Sequence, residues 1–187
     1  MNTRFLTRAA LTAAAFLSLG AQAQQIIVPA QSEIAFTSRQ MGVPVDGKFK
    51  TFSAQVAFDP AKLATSQIAF TVDTGSADIN REANVELVKP TWFNVAAFPK
   101  ATFQSSAIKR IDATKYEVTG KLSIKGASSD VVVPVTLAQS GAVTTATGAF
   151  PIKRLSFRIG EKEWADTSMV ADEVQVKFKI ALTGVKL

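Results

Sequence analysis

Lys115-Tyr116-Glu117-Val118-Thr119-Gly120-Lys121-Leu122-Ser123-Ile124 alternates without a break. Tyr116, Val118, Gly120, Leu122 and Ile124 share one parity; Lys115, Glu117, Thr119, Lys121 and Ser123 share the other. Successive side chains of a strand point to opposite faces, so this stretch reads as a strand with one apolar and one polar side. Downstream, Val131, Val133, Val135 and Leu137 form the next apolar face, with Pro134 on the opposite parity marking an edge or a bulge. Thr144 to Ile152 contributes Ala146, Gly148, Phe150 and Ile152. In the last strand Val174, Val176, Phe178, Ile180 and Leu182 oppose Gln175, Lys177 and Lys179.

The same period runs upstream. Ala101 to Ile111 is rich in strand formers, although its alternation is weaker. Gln67 to Asp73 aligns Ile68, Phe70 and Val72, and Ser32 to Ser38 aligns Ile34 and Phe36. Val45 to Phe58 is extended, but its phase slips between Phe49 and Phe52, which predicts a bend. That makes eight strands. Asp59-Pro60, Lys125 to Ser129 and Ser140-Gly141 supply turn chemistry between them. Asn80 to Lys89 carries Ala83, Leu87 and Val88 at helical spacing and stops at Pro90, so it reads as a short helix. Thr91-Trp92-Phe93 follows as a lid or plug over one end of the sheet.

The fold class is therefore all-β, and eight antiparallel two-faced strands close as a sandwich or a barrel. A barrel leaves no exposed edge. At eight strands its interior is filled by side chains or holds one ligand. Gly120, Gly148, Ala146 and Ala54 leave room among inward Phe, Val and Leu residues, unless a neighbour's large side chain fills it. Alternation alone leaves both outcomes open.

The N-terminus predicts export. Arg4 and Arg8 precede an apolar run from Ala9 to Leu19, and Ala21-Gln22-Ala23 is a small-x-small cleavage pattern. The run is too short to span a bilayer, which takes about 20 apolar residues. Residues 1–23 are expected to be a secretory signal, residues 24–187 a single β domain, and the location the periplasm. Without the two signal-segment arginines, 19 basic residues face 15 acidic ones, a mild excess scattered along the chain. No nucleic-acid stripe is visible, and neither nucleic acid nor stable membrane insertion is expected. A homodimer is left open.

The chain contains no histidine and no cysteine. This removes Ser-His-Asp and Cys-His catalysis, thiol redox chemistry and the usual zinc, copper and haem ligand sets. No metal or cofactor is expected, and no enzymatic activity. Carboxylates survive that filter: Asp73, Asp78, Glu82 and Glu86 lie close in sequence. Asp78 suits the N-cap region of the helix, and the two glutamates suit a solvated helical face. Of the aromatic residues, Phe36, Phe70, Phe150 and Phe178 face inward, with Trp92 and Phe93 on the lid; ordinary core and an apolar tunnel both use such residues.

Several motifs together resemble the YceI family of bacterial periplasmic lipid-binding proteins. Ser32-x-Ile34-x-Phe36 resembles its first strand, Val45-x-Gly47-x-Phe49 with Phe52 its second, and Phe58-Asp59-Pro60 the turn that follows. Trp92-Phe93 with Phe98-Pro99 and Phe103 resembles the passage from helix to strand, with Asn94 where the family commonly has aspartate. Tyr116 to Gly126 resembles its most recognisable strand and turn, and Arg154 to Asp166 the late segment of one subgroup. Where many relatives carry an aspartate in the loop-helix region, this chain has Glu82 after Arg81. The resemblance implies an extended lipocalin-like barrel whose elongated cavity holds a long-chain isoprenoid or related lipid, carried without catalysis. Phe36, Phe70, Trp92, Tyr116, Val118, Leu122, Phe150, Phe157 and Phe178 would line that tunnel. Two rival readings are sequestration of hydrophobic compounds and a carboxylate-dependent lipid-modifying activity.

Overall fold

The computed structural model describes residues 25–185 and 187; the expected signal segment lies outside them. The chain forms β1 (Ile26–Ile27), β2 (Glu33–Gln40), β3 (Val43–Phe49), β4 (Phe52–Ala57), β5 (Gln67–Asp73) and β6 (Ala77–Asp78). There follow α1 (Arg81–Leu87), β7 (Lys100–Arg110), β8 (Lys115–Ile124), β9 (Ala127–Ser140), β10 (Val143–Lys153) and β11 (Glu173–Thr183). Among the described residues eleven strands stand where eight were expected: the bent second strand counts as β3 and β4, and β1 and β6 are two-residue pairings too short for periodicity to register.

All of them belong to one antiparallel sheet in the order β4-β5-β7-β8-β9-β10-β11-β2-β3-β6, with β1 on β11. The sheet curls until its ends meet. β3 runs through Lys50-Thr51 into β4, so the chain itself crosses the seam. Lys50 N–H donates to Ser76 O (3.1 Å) and Asp73 N–H to Thr51 O (3.0 Å) across it. At the other end Gln25 bridges Val56, and its side-chain amide exchanges bonds of 2.6 and 2.8 Å with the backbone of Phe58. Edges are thereby paired rather than exposed.

Local chemistry explains the departures from plain alternation. β7 carries a bulge between Ser105 and Ala107, so parity flips at Ser106 and Ile108 faces inward with Phe103. Lys125-Gly126 is a two-residue turn with φ of 48° and 75°, the type I′ hairpin geometry, and β9 begins at Ala127 rather than after a five-residue turn. β9 pairs with β10 only from Thr136 to Ser140. Pro134 lies beyond the last β9–β10 pair, at a position where β9 still pairs with Glu117 of β8. The 3₁₀ turn Arg154–Phe157 packs against β9.

The interior has two halves. At one end Phe58, Tyr116, Leu137, Ile180, Leu182 and Val185 form a filled core, with Phe58 and Tyr116 edge to face at 5.3 Å. The inward glycines belong to packing too. A Cβ on Gly120 would lie 2.5 Å from the Phe103 ring and from Gln104 O; on Gly148, 2.5 Å from the Phe178 ring and 2.2 Å from Pro134 O. Large neighbours already occupy the room these glycines leave. At the opposite end Leu87 of α1 and Phe93 of the following turn are buried against Phe157, Ile159 and Ile124.

Candidate functional site

α1 and the segment from Arg154 to Asp172 roof the second end of the barrel. Asn80, not Asp78, caps α1: its Oδ1 accepts from Ala83 N–H at 2.8 Å. Asp78 instead pairs with Lys48 in the β3–β6 ladder, receives Asn84 Nδ2 at 2.7 Å and faces Lys50 Nζ at 3.0 Å. Those bonds, Asn84 first and Lys50 next, hold its carboxyl below the ordinary aspartate range. Asp73 is likewise lowered, chiefly by Lys100 Nζ at 3.0 Å, with Gly75 N–H adding to it. Each of these carboxylates thus has its own lysine.

The Arg154 segment is built around one side chain. Arg154 is 1% exposed, and its five guanidinium N–H groups all donate to backbone carbonyls. Nε reaches Ala171 O (3.0 Å), Nη1 reaches Ile159 O and Gly160 O (both 2.9 Å), and Nη2 reaches Trp164 O and Val170 O (both 2.7 Å). Burial pushes the guanidinium below its ordinary value, and the charge of Asp172 partly opposes this. Gly160, at φ +73°, permits the approach, since a Cβ there would lie 2.3 Å from Nη1. Lys125, with a side chain only 5% exposed, ties the β8–β9 turn to the same segment through Arg158 O (2.6 Å) and Glu161 Oε2 (2.9 Å).

Beneath this roof is a cavity of about 550 Å³. Its walls are Ile34 and Phe36 of β2, Phe49 of β3, Val72 of β5, Leu122 and Ile124 of β8, Phe150 and Ile152 of β10, and Val174 and Val176 of β11. Ala83 and Leu87 of α1, Trp92 and Phe93 after it, and Ile159, Trp164 and Val170 of the loop line its roof side. Ser38, Gln40, Asn80, Glu82, Glu86 and Arg154 supply the polar lining. The volume is within the range of about 300–1,000 Å³ for sites that engulf a small molecule, and the mostly apolar lining suits one.

Of the nine residues named from sequence, Phe36, Trp92, Leu122 and Phe150 are brought together on this cavity. The other five lie in packed interior. Tyr116 is in the filled core with Phe70 against it, Val118 packs with Val133 and Phe150, Phe178 covers Gly148, and Phe157 is buried under the loop. Sequence reading missed Arg154 and Trp164 as wall residues; their resemblance to a family segment was visible, but not that they face a cavity. Trp92 and Trp164 meet with ring centroids 5.4 Å apart at 52°. Both indole N–H groups are buried and unpartnered among the described residues, as is the Tyr116 hydroxyl. An unmet buried donor costs about 1–3 kcal/mol.

Among the described residues no group of three or more acidic side chains is arranged to hold a metal ion, and no helix is long and apolar enough to cross a membrane.

The YceI-like domain model matches residues 26–182. The UPF0312 protein of Azotobacter vinelandii (strain DJ / ATCC BAA-1303) is 33% identical over 88 residues, 46% of this chain and 46% of that protein, so the aligned stretch spans about half of the relative. The crystal structure of Burkholderia cenocepacia BcnA matches with a TM-score of 0.80 at 49% identity, covering 83% of this chain and 98% of that one. A polyisoprenoid binding domain from Saccharophagus degradans, implicated in plant cell wall breakdown, matches with a TM-score of 0.69 at 12% identity, over 86% of this chain and 98% of that domain. At that identity the likeness is one of fold.

Proposed function

The chain belongs to the YceI-like domain family, and on that premise we propose that it is an exported, periplasmic protein that binds a long-chain polyisoprenoid or related lipid without chemically changing it. The observation that carries this reading is the cavity itself: about 550 Å³ of mostly apolar space, confined to one end of a barrel whose other end is packed. Phe36, Trp92, Leu122 and Phe150 are the ligand contacts in this reading, joined by Phe49, Ile152 and Val176. A tail burying about 400 Å² of apolar surface gains on the order of 10 kcal/mol gross. Ordering the tail and restricting its motion remove a large share of that.

The polyisoprenoid-binding domain that shares this fold supports the ligand class. The separate lysine partners of Asp73 and Asp78 support binding over carboxylate catalysis, since neither is arranged as a free acid-base pair. Protein purified from its native host should release an isoprenoid or similar lipid into organic solvent, identified by mass spectrometry. Protein that comes out lipid-free and fails to take up any prenyl compound on reconstitution would defeat the reading.

A further inference from the structure

The β2–β3 hairpin carries the apolar wall of the cavity beyond the barrel. We propose that its tip, with Met169 beside it, is the surface by which the protein docks reversibly on a phospholipid bilayer bearing anionic head groups, so that a lipid passes between bilayer and cavity without crossing water. This rests on the lipid-binding reading above and adds where the exchange takes place.

Three observations meet at the tip. First, Phe49 and Val45 of β3 line the cavity, and Val43 comes next on the same face of that strand. Gln40, paired with Val43 across the hairpin, lines the cavity as well. Val43 is nevertheless 62% exposed, so the apolar track that starts inside the cavity runs out past its mouth. Met41 and Gly42 turn the chain with φ of 47° and 80°, the type I′ geometry, and a Cβ on Gly42 would meet nothing within 4 Å. The tip stands clear of the barrel and ends in a methionine that is 70% exposed.

Second, exposed apolar side chains are gathered here. Met41 N–H donates to Met169 O at 2.9 Å and Gln40 bridges Val170, which sets the exposed Met169 next to Met41. Single exposed apolar residues are ordinary, whereas a group of them at the mouth of an apolar cavity marks a contact. Three side chains cannot supply the roughly 800 Å² that each partner of a stable protein complex buries, but they can enter a head-group layer. Third, the charge around the tip suits an anionic surface. No acidic residue lies between Glu33 and Asp46, and Asp46 accepts from the Thr37 hydroxyl at 2.5 Å. Arg39, exposed at the base of the tip, donates from Nη1 to Gly42 O and has no ion pair among the described residues. Beside Met169, Asp166 is turned into its own loop, accepting from Ser168 N–H at 2.9 Å and from the Ser168 hydroxyl at 2.7 Å.

The test uses a chain starting at residue 24, because the apolar run from Ala9 to Leu19 would bind vesicles on its own. The chain has no cysteine, so Met41→Cys carries a single environment-sensitive fluorophore. Ile111→Cys, at an exposed apolar residue beside the packed end, is the control. With phosphatidylethanolamine–phosphatidylglycerol vesicles, emission from position 41 should shift to the blue and that from position 111 should not. Met41→Ser/Val43→Ser should cut flotation with those vesicles about tenfold and slow delivery of dansyl-labelled geranylgeraniol to them by a similar factor, with its affinity for the labelled alcohol unchanged. Arg39→Gln should lose about fivefold on these vesicles and nothing on phosphatidylcholine ones. A label at position 41 that is blind to vesicles overturns the proposal, as does delivery from the double variant as fast as from the parent. A blue shift that grows with protein concentration in the absence of vesicles also overturns it, since the tip would then be a contact between copies. Should the labelled alcohol never bind while position 41 still reports vesicles, the lipid-binding reading falls and the docking surface stands.

Discussion

Replacing Arg154 by methionine keeps an unbranched side chain and removes all five donors. The carbonyls of Ile159, Gly160, Trp164, Val170 and Ala171 then lose the partner that gathers them from across the loop. A buried acceptor left unmet costs about 1–3 kcal/mol, so five together would exceed what a small domain can spare. The loop gives way first: once the segment from Leu155 to Asp172 lifts, those carbonyls find water. Relief from burying the guanidinium offsets part of the loss. The net expectation is a destabilisation of about 3–5 kcal/mol, with roofing lost before the sheet. Urea unfolding followed in parallel by far-UV circular dichroism and tryptophan fluorescence separates the two, because both tryptophans touch the roof and the sheet dominates the dichroism. At a slope of about 1–3 kcal/mol per molar urea, the fluorescence midpoint should fall by at least about 1 M, and emission should be red-shifted before any urea is added. Coincident transitions within about 0.3 M of the parent protein would refute the idea that this side chain holds the roof. Arg154→Lys, with three donors for five carbonyls, should fall between the two.

Gly148→Ala should destabilise the barrel by about 1–3 kcal/mol in urea titration, since its Cβ would press on Pro134 O at 2.2 Å and on the Phe178 ring; parent-like stability would show that the packed half is looser than described. Ala83→Phe projects a ring from α1 into the cavity and should cut lipid uptake by about tenfold or more with little change in the melting temperature; undiminished uptake would put the lipid elsewhere. Asp73 has a carboxyl lowered by Lys100 and Gly75, so its contribution is fully present above the ordinary aspartate value and fades as pH falls through the lowered one. Asp73→Asn should therefore flatten the loss of stability below about pH 4, read as urea midpoints against pH, and a profile identical to the parent's would remove Asp73 from the acid response.

Strand faces were legible wherever alternation was unbroken, as from Tyr116 to Ile124 and from Val174 to Leu182, because a one-residue slip would turn every apolar side chain outward. The bend after Phe49 was legible for the same reason. β7 was faint because the bulge at Ser106 reverses parity midway, and a period-two pattern with one residue inserted looks like a weak pattern. β1 and β6 left no trace, because two residues have no period. The site was legible only in part for a deeper reason. Inwardness belongs to a strand's own sequence, but height along the barrel depends on register with neighbours. Phe36 and Phe178 have the same parity signature and each covers a glycine across its ladder, Gly47 and Gly148, yet Phe36 lines the cavity and Phe178 does not.

That distinction also explains why the hollow is where it is. Small residues at mid-strand do not open space in this barrel: Gly47, Gly120 and Gly148 each lie under a phenylalanine ring, from Phe36, Phe103 and Phe178 respectively. Where strand faces strand, large side chains fill what small ones leave, as close packing demands. Space survives where strands face a roof instead. A roof held by apolar side chains would send them inward and fill the volume it covers. This one has apolar contacts among Leu87, Phe93, Phe157 and Ile159, but its loop is also held by Arg154, whose five bonds run to backbone, and by Lys125, whose two run to a carbonyl and a carboxylate. Such polar struts fix the position of a loop through its backbone and leave its side chains, Ile159, Trp164 and Val170, as lining rather than plug. A buried charge that spends every donor on main chain is thus a means of keeping an apolar cavity open, at the cost of having no hydrogen bond left to offer whatever enters it.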